Sequence, residues 1–86
     1  MQGLDGRVAV VTGGARGLGN AAARRLAAEG VKVAILDLRE DEASVVADEI
    51  GGTAFHADTT DEATLATAFK SVYDTYGGMD ILVNNA

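Results

Sequence analysis

Cysteine is absent from these 86 residues, which excludes disulfides and thiolate metal sites and leaves the redox compartment open. No apolar run approaches the ~18 residues that a membrane span requires. The opening Met1-Gln2-Gly3-Leu4-Asp5 carries neither the basic nor the apolar block of a secretory leader. No membrane partner is expected, and the cytoplasm is the expected location. Basic residues are scarce: 7 Lys and Arg stand against 13 Asp and Glu, a net charge of −6. Without a basic patch there are no counterions to release, so nucleic acid is not an expected partner. The acids bunch instead. Nine carboxylates and one arginine, Arg39, lie between Asp37 and Glu62, mostly where first helical turns are expected and the helix dipole favours them.

What is present is an alternation of short apolar runs with helical periods, the pattern of a parallel sheet with crossover helices. Strand one is expected over Arg7–Val11. Helix one follows over Arg16–Glu29, with Leu18, Ala22 and Leu26 on one face and Gly30 as its stop. Strand two, Lys32–Leu36, is apolar enough to be covered on both faces. Helix two, Glu40–Ile50, stripes Ala43, Val46, Ala47 and Ile50, and strand three is Thr53–Ala57. Thr59-Thr60-Asp61-Glu62 fits a capping box for helix three, with Thr59 as the cap. Leu65, Phe69, Val72 and Tyr76 then form one stripe before Gly77-Gly78, and strand four is Met79–Val83.

The order βαβαβαβ, with right-handed crossovers and a reversal after strand three, predicts one α/β domain over residues 1–86. Its four parallel strands run 3-2-1-4, with three helices. Ligands bind outside the carboxyl ends of strands at the switch point between strands one and four. Thr12-Gly13-Gly14-Ala15-Arg16-Gly17-Leu18-Gly19 falls there. Glycines let a pyrophosphate approach the backbone, and the free N–H groups of the first helical turn point at it. The same glycines also suit a plain turn. Gly13, Gly17 and Gly19 are spaced by four and two, a wider loop than the common dinucleotide fingerprint.

Asp37 closes strand two, 18 residues after Gly19. It serves as a cap for helix two, as a solvated strand end, or as acceptor for the 2′- and 3′-hydroxyls of an adenosine ribose. As ribose acceptor it repels a 2′-phosphate, and Leu38 offers that phosphate no cation, so NAD is expected over NADP. Arg16 and Arg39 argue the other way, since either reaches toward the adenosine end. Asp58 is a turn residue or an acceptor for the exocyclic amine of adenine, with the Thr59 N–H facing a ring nitrogen. Asn84-Asn85 either satisfy a strand terminus or stand beside the cofactor ribose, and His56 needs no role.

The chain resembles the N-terminal half of a short-chain dehydrogenase/reductase. Val10 to Gly19 is similar to that family's cofactor signature, Ala57-Asp58-Thr59-Thr60 to its adenine-site motif, and Asp80-Ile81-Leu82-Val83-Asn84-Asn85-Ala86 to its strand-four motif. Together with Asp37, these cover essentially the whole chain. The resemblance implies a truncated Rossmann fold lacking its catalytic half. It implies that Thr12 and Asn84 brace the sheet, that Gly13, Gly17 and Gly19 hold the pyrophosphate, and that Asp37 and Asp58 take ribose and adenine. The implied cofactor contacts include Arg16, Leu18, Leu38, Thr59 and Ala86. Two residues depart from the family pattern: Thr59 replaces a commoner aliphatic residue, and Ala22 is smaller than usual.

The resemblance further implies hydride exchange between a nicotinamide and an alcohol or ketone. A serine orients the substrate there, and a tyrosine, its pKa lowered by a lysine four residues on, moves the proton. Four residues after Tyr73 is Gly77, and four after Tyr76 is Asp80; both tyrosines are expected at packing positions on helix three. No catalytic or metal-binding residue is therefore assigned, and the 86 residues alone are expected to be inactive. Two alternatives share the strand order. An S-adenosylmethionine methyltransferase normally has an acid on strand one before its glycine loop, where Val10-Val11-Thr12 stand. A phosphoacceptor domain using Asp58 needs an acidic magnesium pair after strand one. The unpaired edge of strand four and a half-covered sheet face predict self-association.

Overall fold

The apolar run Val8–Thr12 forms the central strand β1, buried at all five positions because a parallel neighbour flanks it on each side. The structure, a computed structural model, describes residues 3–85, so Ala86 lies outside the described residues. Along the chain follow α1 (Gly17–Ala28), β2 (Lys32–Asp37), α2 (Glu40–Ile50), β3 (Thr53–His56), α3 (Glu62–Tyr76) and β4 (Ile81–Asn84). The sheet order is β3-β2-β1-β4, all parallel, as the alternating pattern predicts.

Two apolar clusters sandwich the sheet. Ala9, Val11, Val33 and Ile35 point to one face and meet Ala23 of α1 and Ala43, Val46 and Ala47 of α2. Val8, Val10, Ala34 and Leu36 point to the other and meet Ala68 and Val72 of α3. This is the period-two alternation of a strand buried on both sides. Fully buried side chains such as Ile35 and Leu36 contribute roughly 1.5–3 kcal/mol each relative to exposure. Small residues on the helices allow close contact with the sheet.

Several local expectations are corrected. β1 starts and ends one residue later than predicted, because Thr12 still pairs with Leu36 and Asn84. β2 extends to Asp37, which pairs with His56, where β3 stops. β4 begins at Ile81 because Asp80 acts as a clamp. Its N–H donates to the Val8 carbonyl at 2.8 Å, and its carboxylate accepts from the Val8 N–H at 2.9 Å. On α1 the buried residues are Gly19 and Ala23, whereas Leu18 is 80% exposed and Leu26 only partly buried. The face in contact with the sheet is thus turned by about one residue from the Leu18-Ala22-Leu26 stripe.

The cap of α3 is Asp61, not Thr59. Its Oδ1 accepts from the N–H groups of Ala63 and Thr64 at 3.0 and 3.4 Å, the pattern of an acidic N-cap. Thr59 lies two residues ahead of that position in an exposed turn. Tyr76 is partly buried and its hydroxyl lies 2.9 Å from Thr53 Oγ1, but Tyr73 is half exposed and not a packing residue.

Candidate functional site

The carboxyl ends of β1, β2 and β3 open into one cavity of about 530 Å³. Gly13, Arg16, Gly17 and Leu18 line it from the loop after β1, Leu36 to Arg39 from the end of β2, and Ala57 to Thr60 from the segment after β3. Asn85 closes the side next to β4. Of the sequence-predicted residues, Gly13, Arg16, Gly17, Leu18, Asp37, Leu38, Asp58 and Thr59 are thus brought together. Gly19 and Asn84 do not line it: Gly19 is buried, and Asn84, though exposed, lies outside the lining. Leu36, Ala57 and Thr60 line the cavity without having been assigned a contact; Arg39, weighed for the adenosine end, and Asn85, weighed for the cofactor ribose, line it too.

The loop's shape follows from its glycines. Gly13 has φ +66°, a conformation side chains rarely adopt, while its N–H still donates to the Leu36 carbonyl at 2.8 Å. Gly19 has a different constraint. A Cβ there would collide with the Gly13 carbonyl oxygen and stand 2.8 Å from Asn85 Nδ2. The missing side chain therefore lets α1 tuck under the loop. Thr12, buried, fixes the far side: its hydroxyl donates to Asn84 Oδ1 at 3.1 Å and accepts from the Asn85 N–H at 3.0 Å.

The start of α1 is electrically bare. Arg16 occupies the cap position in extended backbone and makes no side-chain cap bond, and the first turn holds no acid. Its first intrahelical bond runs from Asn20 N–H to the Arg16 carbonyl, so the amides of Gly17, Leu18 and Gly19 precede the ladder. Unsatisfied donors and the positive end of the helix dipole are thus presented beside the cavity.

Asp37 ties this loop to β2. It is 7% exposed; Oδ2 accepts from the Ala15 N–H at 3.1 Å and Oδ1 from the Arg39 N–H at 2.8 Å. The cap reading is not met, because Arg39 holds the cap position of α2 without a side-chain cap bond and Asp37 takes only the Arg39 N–H; each carboxylate oxygen keeps a further lone pair for another donor. Across the cavity, Asp58 Oδ1 accepts from the Thr60 N–H at 2.9 Å and its hydroxyl at 2.6 Å. These bonds favour the charged form and hold the Asp58 carboxyl below its ordinary pKa. Among the described residues both hydrogen bonds to the Asp58 carboxylate go to Oδ1, none to Oδ2.

Arg16 reaches away from the bare helix end to Glu42 on α2. Its Nε donates to Oε2 at 2.9 Å and its Nη2 to Oε1 at 2.5 Å, a bidentate pair. The pairing raises the Arg16 pKa and lowers that of Glu42. No group of three or more metal-ligating side chains occurs among the described residues. Nor is any described helix long and apolar enough to cross a membrane.

Residues 7–86 match the family model described as short chain dehydrogenase. Among curated relatives, a mitochondrial borneol dehydrogenase of Lavandula x intermedia is 41% identical over 83 residues, covering 96% of this chain and 32% of the relative. A sorbitol dehydrogenase of Cereibacter sphaeroides is 44% identical over 85 residues, with 96% and 33% covered. A solved 3-ketoacyl-(acyl-carrier-protein) reductase of Brucella melitensis, complexed with NADH, superposes with a TM-score of 0.89 at 40% identity. That match covers 92% of this chain and 34% of the reductase. The chain spans about a third of the length of the curated relatives it matches.

Proposed function

This chain belongs to the short chain dehydrogenase family, and on that premise we propose that its cavity binds a nicotinamide dinucleotide by the adenosine and pyrophosphate portions. The observation that carries the reading is the direct bond from Ala15 N–H to Asp37 Oδ2, which joins the uncapped start of α1 to the carboxylate at the end of β2. The pyrophosphate sits against Gly13, Gly17 and the amides that open α1. The ribose hydroxyls donate to Asp37, and Asp58 with Thr59 takes the adenine. Gly19 and Asn84 act indirectly, one by making room and the other by bracing Thr12. Ala86, outside the described residues, is kept as a contact of the same cofactor.

NAD is the preferred cofactor in this reading, since a 2′-phosphate would be set against the Asp37 carboxylate. The NADH in the Brucella melitensis reductase supports a nicotinamide dinucleotide of this kind. The whole protein transfers a hydride between that cofactor and an alcohol or ketone. These 86 residues supply cofactor binding and no proton-transfer pair. The family match gives no support to an S-adenosylmethionine-dependent methyltransferase.

A second copy of the chain is a proposed partner through β4, an edge strand whose Leu82 is half exposed. Calorimetric titration of the chain with NAD and NADP, repeated with Asp37→Asn and Asp37→Ala, tests the cofactor assignment. Weak binding with NAD preferred is expected, and that preference should disappear in both variants. Equal affinity of the unmutated chain for the two cofactors removes Asp37 from this role.

A further inference from the structure

A second hollow, of about 470 Å³, adjoins the first and shares Arg16, Leu38 and Arg39 with it; Glu40, Asp41 and Glu42 complete its lining. The two hollows meet at Leu38 and Arg39, the residues that follow Asp37, so in the proposed site the second adjoins the place of the ribose hydroxyls. Two guanidinium groups there would ordinarily make a receptor for a phosphate, since Arg matches its oxygens bidentately. Both are already engaged. Arg16 is held by two parallel bonds to Glu42, and Arg39 Nε stands 3.8 Å from Glu42 Oε2. Among the described residues the ion pairs of Arg16 and Arg39 within 4 Å go to Glu42, although Glu40 and Asp41 line the same hollow.

We propose that Glu42 is a specificity-determining residue: its carboxylate gathers Arg16 and Arg39 to itself and withholds both cations from a 2′-phosphate on the bound dinucleotide. The inference rests on the proposed dinucleotide site and adds a second discriminating group to Asp37. The two act differently. Asp37 repels the phosphate where the ribose sits, whereas Glu42 occupies the groups that would otherwise attract it. A 2′-phosphate that recruits Arg16 must either break the bidentate pair or take the remaining N–H groups of a guanidinium whose charge Glu42 already offsets, with two negative groups brought together in both cases. NAD, which carries no such group, requires no change in the Arg16–Glu42 pair.

The test is titration of the full chain with NAD and NADP, comparing the unmutated protein with Glu42→Gln, Glu42→Asp and the double variant Glu42→Gln/Arg16→Gln. Glu42→Gln should raise NADP affinity relative to NAD by about tenfold, the scale of one freed charge-assisted contact. The gain should shrink as salt rises, and the double variant should abolish most of it. Glu42→Asp keeps the charge and should stay near the unmutated ratio. Helical circular dichroism establishes that each variant is folded, and Glu42 is exposed enough for the substitutions to be tolerated. NAD binding with an unchanged NADP-to-NAD ratio in folded Glu42→Gln overturns the proposal and leaves the dinucleotide site standing. So does a gain that survives in the double variant. Failure of the unmutated chain to bind either dinucleotide overturns the site and the proposal together.

Discussion

The first turns of α1 and α3 are the same structural object put to opposite uses. Each presents backbone N–H groups with no partner in the helix. At α3 the chain satisfies them itself, through Asp61, and adds Glu62 for the dipole. At α1 it supplies neither cap nor acid and keeps the approach clear with glycine. α2 falls between, with no side-chain cap but Glu40, Asp41 and Glu42 in its first turn. A protein dominated by carboxylates has thus kept them away from one helix start. The omission carries a stability cost at α1, and an anionic ligand is the natural group to offset it.

The largest expected effect comes from breaking the geometry that makes α1 bare. Gly19→Ala would drive a methyl group into the Gly13 carbonyl. Loss of dinucleotide binding is expected, with destabilisation of about 1–3 kcal/mol in chemical denaturation. Normal binding by this variant would mean that the close approach of helix and loop is not required.

Moving acid from one helix start to the other sharpens the contrast. Leu18 is 80% exposed, so Leu18→Glu places a carboxylate in the first turn of α1 without disturbing the core. Stability should rise by about 0.3–1 kcal/mol, while NAD affinity falls roughly tenfold, equivalent to ~1.4 kcal/mol. Opposite signs in thermal melting and titration are the expected signature. A fall in both, or in neither, would separate the dipole from the binding.

Removing the cap from α3 should show the reverse pattern. Asp61→Ala is expected to cost about 1 kcal/mol and to leave NAD affinity unchanged, whereas Thr59→Ala should leave stability unchanged. Equal losses from the two would restore Thr59 as a cap. The smallest effect is electrostatic. Thr60→Ala removes the hydroxyl bond that most depresses the Asp58 pKa, so that pKa should rise toward its ordinary value, read by carboxyl NMR. The sign follows from linkage. A carboxyl depressed in the folded state stabilises above its unfolded pKa, and the contribution is lost as pH falls through the depressed value. The variant should therefore lose less stability on acidification than the parent.

The order of elements and the strand order were legible in the chain because two periods, two for strands and near four for helices, alternate cleanly with glycine between them. Helix two was readable to the residue, since Ala43, Val46 and Ala47 form an unambiguous buried stripe. Helix one was misread. Leu18 is more apolar than Gly19 or Ala23, but close packing on the sheet selects the small residues and sends the large one outward. The cap of α3 was misread because Thr59, Thr60 and Asp61 all suit that role, and only the backbone position distinguishes them. At the site, Asp37 and the glycine loop were visible from spacing. The pairing of Arg16 with Glu42 was not, because it joins two helices 26 residues apart that only the fold brings together.

The most direct measurement is the pattern of amide chemical-shift changes when ¹⁵N-labelled chain is titrated with NAD. The largest changes are expected at Gly13 to Gly19 and at Asp37 to Arg39, with Asp58 to Thr60 next and the α3 turn from Ala63 onward nearly silent. Changes centred on the capped start of α3 or on the β4 edge, with Gly17 and Leu18 unmoved, would contradict the assignment of the uncapped helix as the dinucleotide's seat.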